Sequence, residues 1–233
     1  MQESVVKYAL LLALSLAAPV SLAQEVAPDA LLRAVSIEVI DKLKQHQERE
    51  AADTAKVTAL VATRILPLFD FAHMTRLTVA RNWRLATPEQ QRVLTEEFKT
   101  LLVRTYSNSL ARYRDEVIVF KQLRAAPPDA TVTVRSEVKQ PGNERMTLDY
   151  EMEHTLAGWQ IYNVKIADMC LVTTYREVFS EKVREGGIDG LIKFLADENR
   201  GGTSRFNSIT ASFWEKSRVM YAIFQNVFRS GLQ

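Results

Sequence analysis

Two spatial periods organise the hydrophobic positions of this chain. From Arg145 to Glu153 apolar and polar residues alternate. Met146, Leu148, Tyr150 and Met152 fall on one face, and Thr147, Asp149, Glu151 and Glu153 on the other. Period two predicts a strand with one buried and one wet face. From Leu171 to Phe179 the spacing becomes i, i+1, i+4, i+7 and i+8 through Leu171, Val172, Tyr175, Val178 and Phe179, which is one face of a helix. The change of period falls within Trp159–Phe179. There a strand carrying Tyr162, Val164 and Ile166 on one side runs directly into that helix.

The remaining elements follow from the same reading. A helix over Pro28–Glu48 carries a stripe of Leu32, Val35, Val39, Ile40 and Leu43, with Asp29 as the expected N-cap. A second helix passes through Val57, Leu60, Val61 and Ile65 and stops at Pro67. Asp70 then stands where an N-cap belongs, ahead of Phe71, Met74 and Leu77. Thr87-Pro88-Glu89-Gln90 forms a capping box with proline at the first helical position. The helix it starts should reach about Tyr113 and lie across a sheet, with Leu94, Phe98, Leu101, Leu102, Thr105, Tyr106 and Leu110 on one broad face.

Four strands are expected, Glu116–Arg124, Thr131–Val138, Arg145–Glu153 and Trp159–Ala167. A three-residue loop at Pro141-Gly142-Asn143 would pair Val138 with Met146, Val134 with Tyr150 and Val132 with Met152. A five-residue loop over His154–Gly158 would pair Tyr150 with Tyr162, Leu148 with Val164 and Met146 with Ile166. Slipping either hairpin by one residue sets apolar against charged side chains, so the pattern selects a register. Ser136 then falls opposite Leu148, a small residue among large ones. The room it leaves is either a pocket or the seat of a helix side chain. Gly186-Gly187 should end the Leu171 helix, and Ile188–Ala196 should form another.

Gly201-Gly202 reads as a linker to a last helix, Phe206–Arg229, with Phe206, Ile209, Phe213, Met220, Phe224 and Val227 on one face. Three roles stay open for it: docking on the domain, contact with a partner, or lying in a membrane interface.

Composition sets the compartment. Met1–Lys7, an uncharged run over Tyr8–Ala18 and the small-x-small triplet Ser21-Leu22-Ala23 form a secretory signal peptide. Cleavage is expected near Ala23, with no cysteine at that point for a lipid anchor. The run is shorter than the ~20 residues that a membrane span needs. The expected organisation is therefore a signal peptide over residues 1–23, one domain over 24–199, and a linker with its helix over 200–233. The lone Cys170 cannot form an internal disulfide, so the core alone must hold an exported fold. A net charge of +2, without basic runs, gives no electrostatic footprint for nucleic acid.

No catalytic constellation stands out. His46, His73 and His154 are scattered, and their spacing gives no expectation of a metal site. G-x-S-x-G and H-E-x-x-H do not occur. Asp149, Glu151 and Glu153 belong to the wet face. An apolar surface without chemistry points to binding rather than turnover, so no cofactor, no metal and no enzymatic activity are expected.

Several segments in this order and spacing resemble the MlaC family, also called the Ttg2-type toluene-tolerance component. They are Pro67-Leu68-Phe69-Asp70-Phe71, Asn82-Trp83-Arg84, Ala86 through Gln91, Phe98, Leu102, Thr105-Tyr106, Trp159-Gln160-Ile161-Tyr162, Leu171-Val172, Tyr175-Arg176 and Gly187 through Ile192. Departures occur at Asn163, where the family usually has Asp, at Ala167-Asp168, usually Glu-Gly, at Cys170, usually Ser, and near Ala80–Arg81, where Gly is common.

The resemblance implies an α+β fold in which an antiparallel four-stranded curved sheet is wrapped by helices around an apolar lipid pocket, with an extra C-terminal helix. It implies a periplasmic carrier that shuttles phospholipid, or another two-chain or polycyclic lipid, for an ABC transport system that maintains outer-membrane lipid asymmetry. The partners would be a membrane-bound ABC complex and an outer-membrane lipoprotein complex. The expected walls are Phe71, Met74, Leu102, Tyr106, Met146, Leu148, Tyr150, Tyr162, Val164, Ile166, Val172 and Tyr175. Arg84 and Arg176 are candidates for headgroup or partner contacts, with a purely structural role as the alternative for each. Two other functions stay open: an interaction subunit working through its terminal helix, and an enzyme using a tyrosine or Cys170 on an apolar substrate.

Overall fold

The computed structural model describes residues 26–49, 54–110, 117–123, 131–139, 145–167 and 169–201 of the 233-residue chain. The expected signal peptide, the Pro141-Gly142-Asn143 loop and the Phe206–Arg229 helix lie outside the described residues. An antiparallel meander β1-β2-β3-β4-β5 forms the sheet, built from β1 (Val117–Phe120), β2 (Thr131–Lys139), β3 (Met146–Thr155), β4 (Gly158–Ile166) and β5 (Met169–Cys170). The sheet thus has five strands rather than four. The added strand, β5, is the two-residue corner that leads into the last described helix, and it pairs Met169 with Ile166 and Cys170 with Lys165.

The β2–β3 register is the one that the alternation selects, with Val138 opposite Met146, Ser136 opposite Leu148, Val134 opposite Tyr150 and Val132 opposite Met152. The β3–β4 register differs. Thr155 pairs with Gly158, so the hairpin turns through Leu156-Ala157 rather than five residues, and Met152 meets Ile161. A bulge between Glu151 and Met152 then shifts the pairing. Beyond it Tyr150 faces Val164 and Leu148 faces Ile166. A single extra residue lets Trp159 and Ile161 bury on one side of the bulge and Val164 and Ile166 on the other. Strict alternation could not bury all four on one face.

Helices cover the apolar side. Helix α1 (Pro28–Arg49) packs its first half over β1 and β2, and its second half against α2 (Thr54–Leu60) in a separate small core of Val39, Leu43, Val57, Leu60 and Val61. Asp29 does not cap α1. Its carboxylate instead accepts from the Leu123 backbone N–H at 3.3 Å, while Ala27 supplies the first helical carbonyl. After α2 the chain widens through a π turn (Val61–Ile65) and then tightens in a 3₁₀ turn (Leu66–Leu68) around Pro67. Asp70 caps α3 (Phe71–Val79), its carboxylate accepting from the His73 N–H at 2.8 Å.

The capping box of α4 (Pro88–Leu110) forms in both directions: Gln90 N–H to Thr87 Oγ1 at 3.2 Å, and Thr87 N–H to Gln90 Oε1 at 2.9 Å. Helix α5 (Leu171–Asn199) breaks at Gly186-Gly187, where Gly187 has φ +68°. That turn lets Ile188, Leu191 and Leu195 bury after the break.

Candidate functional site

The apolar face of the sheet is built in rows that run across the strands. One row is Ile118–Val138–Met146; the next is Phe120–Ser136–Leu148–Ile166; then come Val134–Tyr150–Val164 and Val132–Met152–Ile161. Ser136 is the only small member, and it is 1% exposed. Helices α3, α4 and α5 pack closely together, and α3 and α5 also contact β4. The site is therefore defined by the sheet face on one side and helix side chains on the other.

The expected wall residues fall into three groups. Met74, Leu102, Met146, Val164, Ile166, Val172 and Tyr175 are buried in the main core. Phe71, Tyr106, Leu148 and Tyr150 pack against that core but remain only partly buried. Tyr162 stands apart from both. It is the extra residue at the bulge, and its ring stacks on His73 at 4.8 Å with the planes 19° apart. The helix N-terminus, not the sheet face, takes that side chain.

Two tyrosines mark the middle of the site. Burial pushes the phenols of Tyr106 and Tyr150 up from their ordinary value, so protein surrounds both hydroxyls. The Tyr175 hydroxyl partly offsets the effect on Tyr106, and the Ser136 hydroxyl that on Tyr150. Yet both side chains keep accessible surface. Phe120 stacks on Tyr150 at 6.3 Å and is a wall candidate that spacing alone did not single out, because β1 is too short to show alternation. By contrast, Phe98 meets Tyr175 and Phe179 edge-on at 5.0 Å each, closing the α4–α5 seam.

The chemistry of the interior is sparse. Among the described residues the buried polar side chains are Thr75, Thr78, Ser136 and Asn163. Both threonines donate to carbonyls one turn back, at 2.6 Å and 2.8 Å. Asn163 organises the corner: its Oδ1 accepts from the Val172 N–H at 3.3 Å, and its Nδ2 donates to Glu151 Oε2 at 2.9 Å. It thereby satisfies an orphan donor at the start of α5, where Cys170 supplies no side-chain cap. Cys170 Sγ lies 3.1 Å from Asn163 Nδ2.

Of the two arginines, Arg176 donates from Nε and Nη2 to the Leu77 carbonyl at 3.2 Å and 2.8 Å, bracing α5 against α3. Arg84 is exposed on the 3₁₀ segment Ala80–Leu85.

The MlaC protein family model matches residues 33–197. The chain belongs to the MlaC family. A curated relative within reach of this MlaC chain is the toluene tolerance protein ttg2D of Pseudomonas putida, 25% identical over 167 residues that cover 70% of this chain and 75% of that protein. A solved structure is also similar: the phospholipid-binding protein from Ralstonia solanacearum in complex with a phospholipid. The two share 34% identity with a TM-score of 0.70, over 77% of this chain and all of that one. The α+β architecture that the sequence resemblance implied is therefore shared with that phospholipid-binding protein.

Proposed function

We propose that this MlaC-family protein is a non-catalytic periplasmic carrier that holds a phospholipid between the apolar sheet face and helices α3–α5. It would pass that lipid between the membrane complexes of an ABC-type transport system. The observation that carries the reading is the state of Tyr150 on the apolar sheet face and Tyr106 on α4, both desolvated and still only partly buried. The lipid seen in the Ralstonia solanacearum relative supports the choice of ligand. The proposed walls are Phe71, Met74, Leu102, Tyr106, Met146, Leu148, Tyr150, Val164, Ile166, Val172 and Tyr175, with Phe120 added and Tyr162 left to the rim. Arg84, exposed, is the better placed of the two arginines for a headgroup or a partner.

Energy dictates this design. Two acyl chains of about 30 methylenes, at ~0.8 kcal/mol each, make a bare lipid in water unfavourable by roughly 20 kcal/mol. A soluble carrier must bury the tails and needs few polar contacts to do so. Release then requires a partner that opens the site. Native mass spectrometry of the protein purified without detergent, followed by organic extraction, tests the proposal. A stoichiometric adduct that extracts as phospholipid is expected. A bare polypeptide mass, under conditions that keep a known lipid complex intact, overturns it.

A further inference from the structure

The wet face of β3 carries three acidic side chains, and two of them are matched to bases. Asp149 lies 3.4 Å from Arg135 Nε, and Glu151 lies 2.6 Å from Lys165 Nζ. Glu153 meets no lysine or arginine among the described residues. It faces His73 Nδ1 instead, in a close contact between a carboxylate oxygen and the ring nitrogen. The Asp70 carboxylate completes the group, and one ligand atom from each of the three residues lies within 4.8 Å of the others.

We propose that Asp70, His73 and Glu153 form a binding site for a divalent cation of the Zn²⁺ type. The donor set decides the class. One imidazole nitrogen with two carboxylate oxygens suits zinc and its neighbours, whereas Mg²⁺ and Ca²⁺ take oxygen alone. Two ligands of one tetrahedral zinc ion stand about 3.4 Å apart, given bonds of ~2.1 Å. The arrangement, with separations of up to 4.8 Å, therefore needs to close by up to about 1.4 Å, within reach of a Glu153 side-chain rotation.

The group is also held in place before any ion arrives. Asp70 N–H donates to the Ile161 carbonyl at 2.9 Å, and Phe69 bridges Ile161, so the start of α3 is fixed to β4. Asp70 Oδ1 is committed to the His73 N–H at 2.8 Å, which leaves the other oxygen for a ligand. Stacking on Tyr162 fixes the plane of the imidazole. All three side chains are half-buried, so water can complete the coordination. Neutral His73 would ligate through Nδ1 in place of its contact with Glu153. The ion would tie α3 to the β3–β4 hairpin. The site does not depend on the lipid reading.

The test is calorimetric titration of the chelator-treated protein with Zn²⁺ near neutral pH, with Mg²⁺ and Ca²⁺ titrated in parallel. One zinc per chain is expected, no comparable binding of the other two ions, and a zinc-dependent rise in Tm. His73→Gln and Glu153→Gln should each weaken binding at least about tenfold, while Asp149→Asn, on the same strand face, should not. Circular dichroism of each variant without metal separates lost binding from lost folding, and Glu153→Gln, an isosteric change at a half-buried position, is the variant least disruptive to the fold. No zinc binding by the native protein, or zinc binding unchanged in both His73→Gln and Glu153→Gln, overturns the site.

Discussion

Leu148→Trp separates a lipid space from a filled core. Leu148 sits mid-row on the apolar face between Ser136 and Ile166, and it is only partly buried. An indole projecting from that point would occupy the room of about four methylenes. At ~0.8 kcal/mol each, roughly 3 kcal/mol of tail burial is lost, which weakens phospholipid binding by about 200-fold. If side chains fill the region instead, the same ring overpacks a core, at a cost of about 1–3 kcal/mol in stability. That corresponds to a fall in Tm of about 2–12 °C for a chain of this size. Ligand loss itself lowers Tm by mass action, so native and variant proteins are compared after delipidation. Lipid per chain is read by extraction, and affinity by displacement of a fluorescent phospholipid. The expected result is a variant with near-native delipidated Tm and little lipid. Native lipid content and affinity in Leu148→Trp would refute the placement of the tails against this row.

Three further outcomes follow from particular residues. Ala80 ends α3 with φ +55° and ψ −130°, a region open to glycine and strained for alanine. Ala80→Gly should therefore raise Tm by about 2–4 °C, corresponding to roughly 1 kcal/mol, and a lower Tm would show that the neighbouring segment does not need that conformation. Asn163→Ala orphans the buried Val172 N–H and strips a donor from Glu151. A loss of about 2 kcal/mol, or roughly 4–8 °C in Tm, is expected by calorimetry, and an unchanged Tm would remove Asn163 from its role at the corner.

The third outcome concerns pH. Burial pushes the Glu151 carboxyl up, but Lys165 and Asn163 outweigh it and hold the carboxyl below its ordinary value. A folded value below the unfolded one means that the ionised carboxylate stabilises fully above the ordinary range near about 4.3, and that this stabilisation fades as pH falls through the depressed value. Lys165→Met should therefore lower Tm at neutral pH and converge with the native protein in acid. Parallel Tm–pH curves would count against the pairing.

Residues that are close in sequence carried most of the architecture. The Thr87–Gln90 box, the Asp70 cap, the β2–β3 register and the Gly186-Gly187 break were legible because each rests on contacts within a few positions or on a strict two-residue alternation. The β3–β4 register was not, because alternation assigns faces but does not count residues across a bulge. Two alternating strands fit several even slips, and only simultaneous burial of Trp159, Ile161, Val164 and Ile166 selects the bulged pairing. The same shift removes Tyr162 from the wall, since period two places it among residues that it leaves at the bulge.

The chain by itself determined the main helices and four of the strands, their order and the apolar sheet face, but not the two-residue β5. What it determined follows from composition and short-range spacing. Tertiary structure decided which aromatic rings retain open surface, that Arg176 braces α3, that Asn163 satisfies the first turn of α5, and that Glu153 comes to face Asp70 and His73 from 80 residues further along the chain. Such pairings depend on how the β4 bulge and the helix ends are positioned in space. Sequence spacing holds no information on distances that only the packing of distant segments sets.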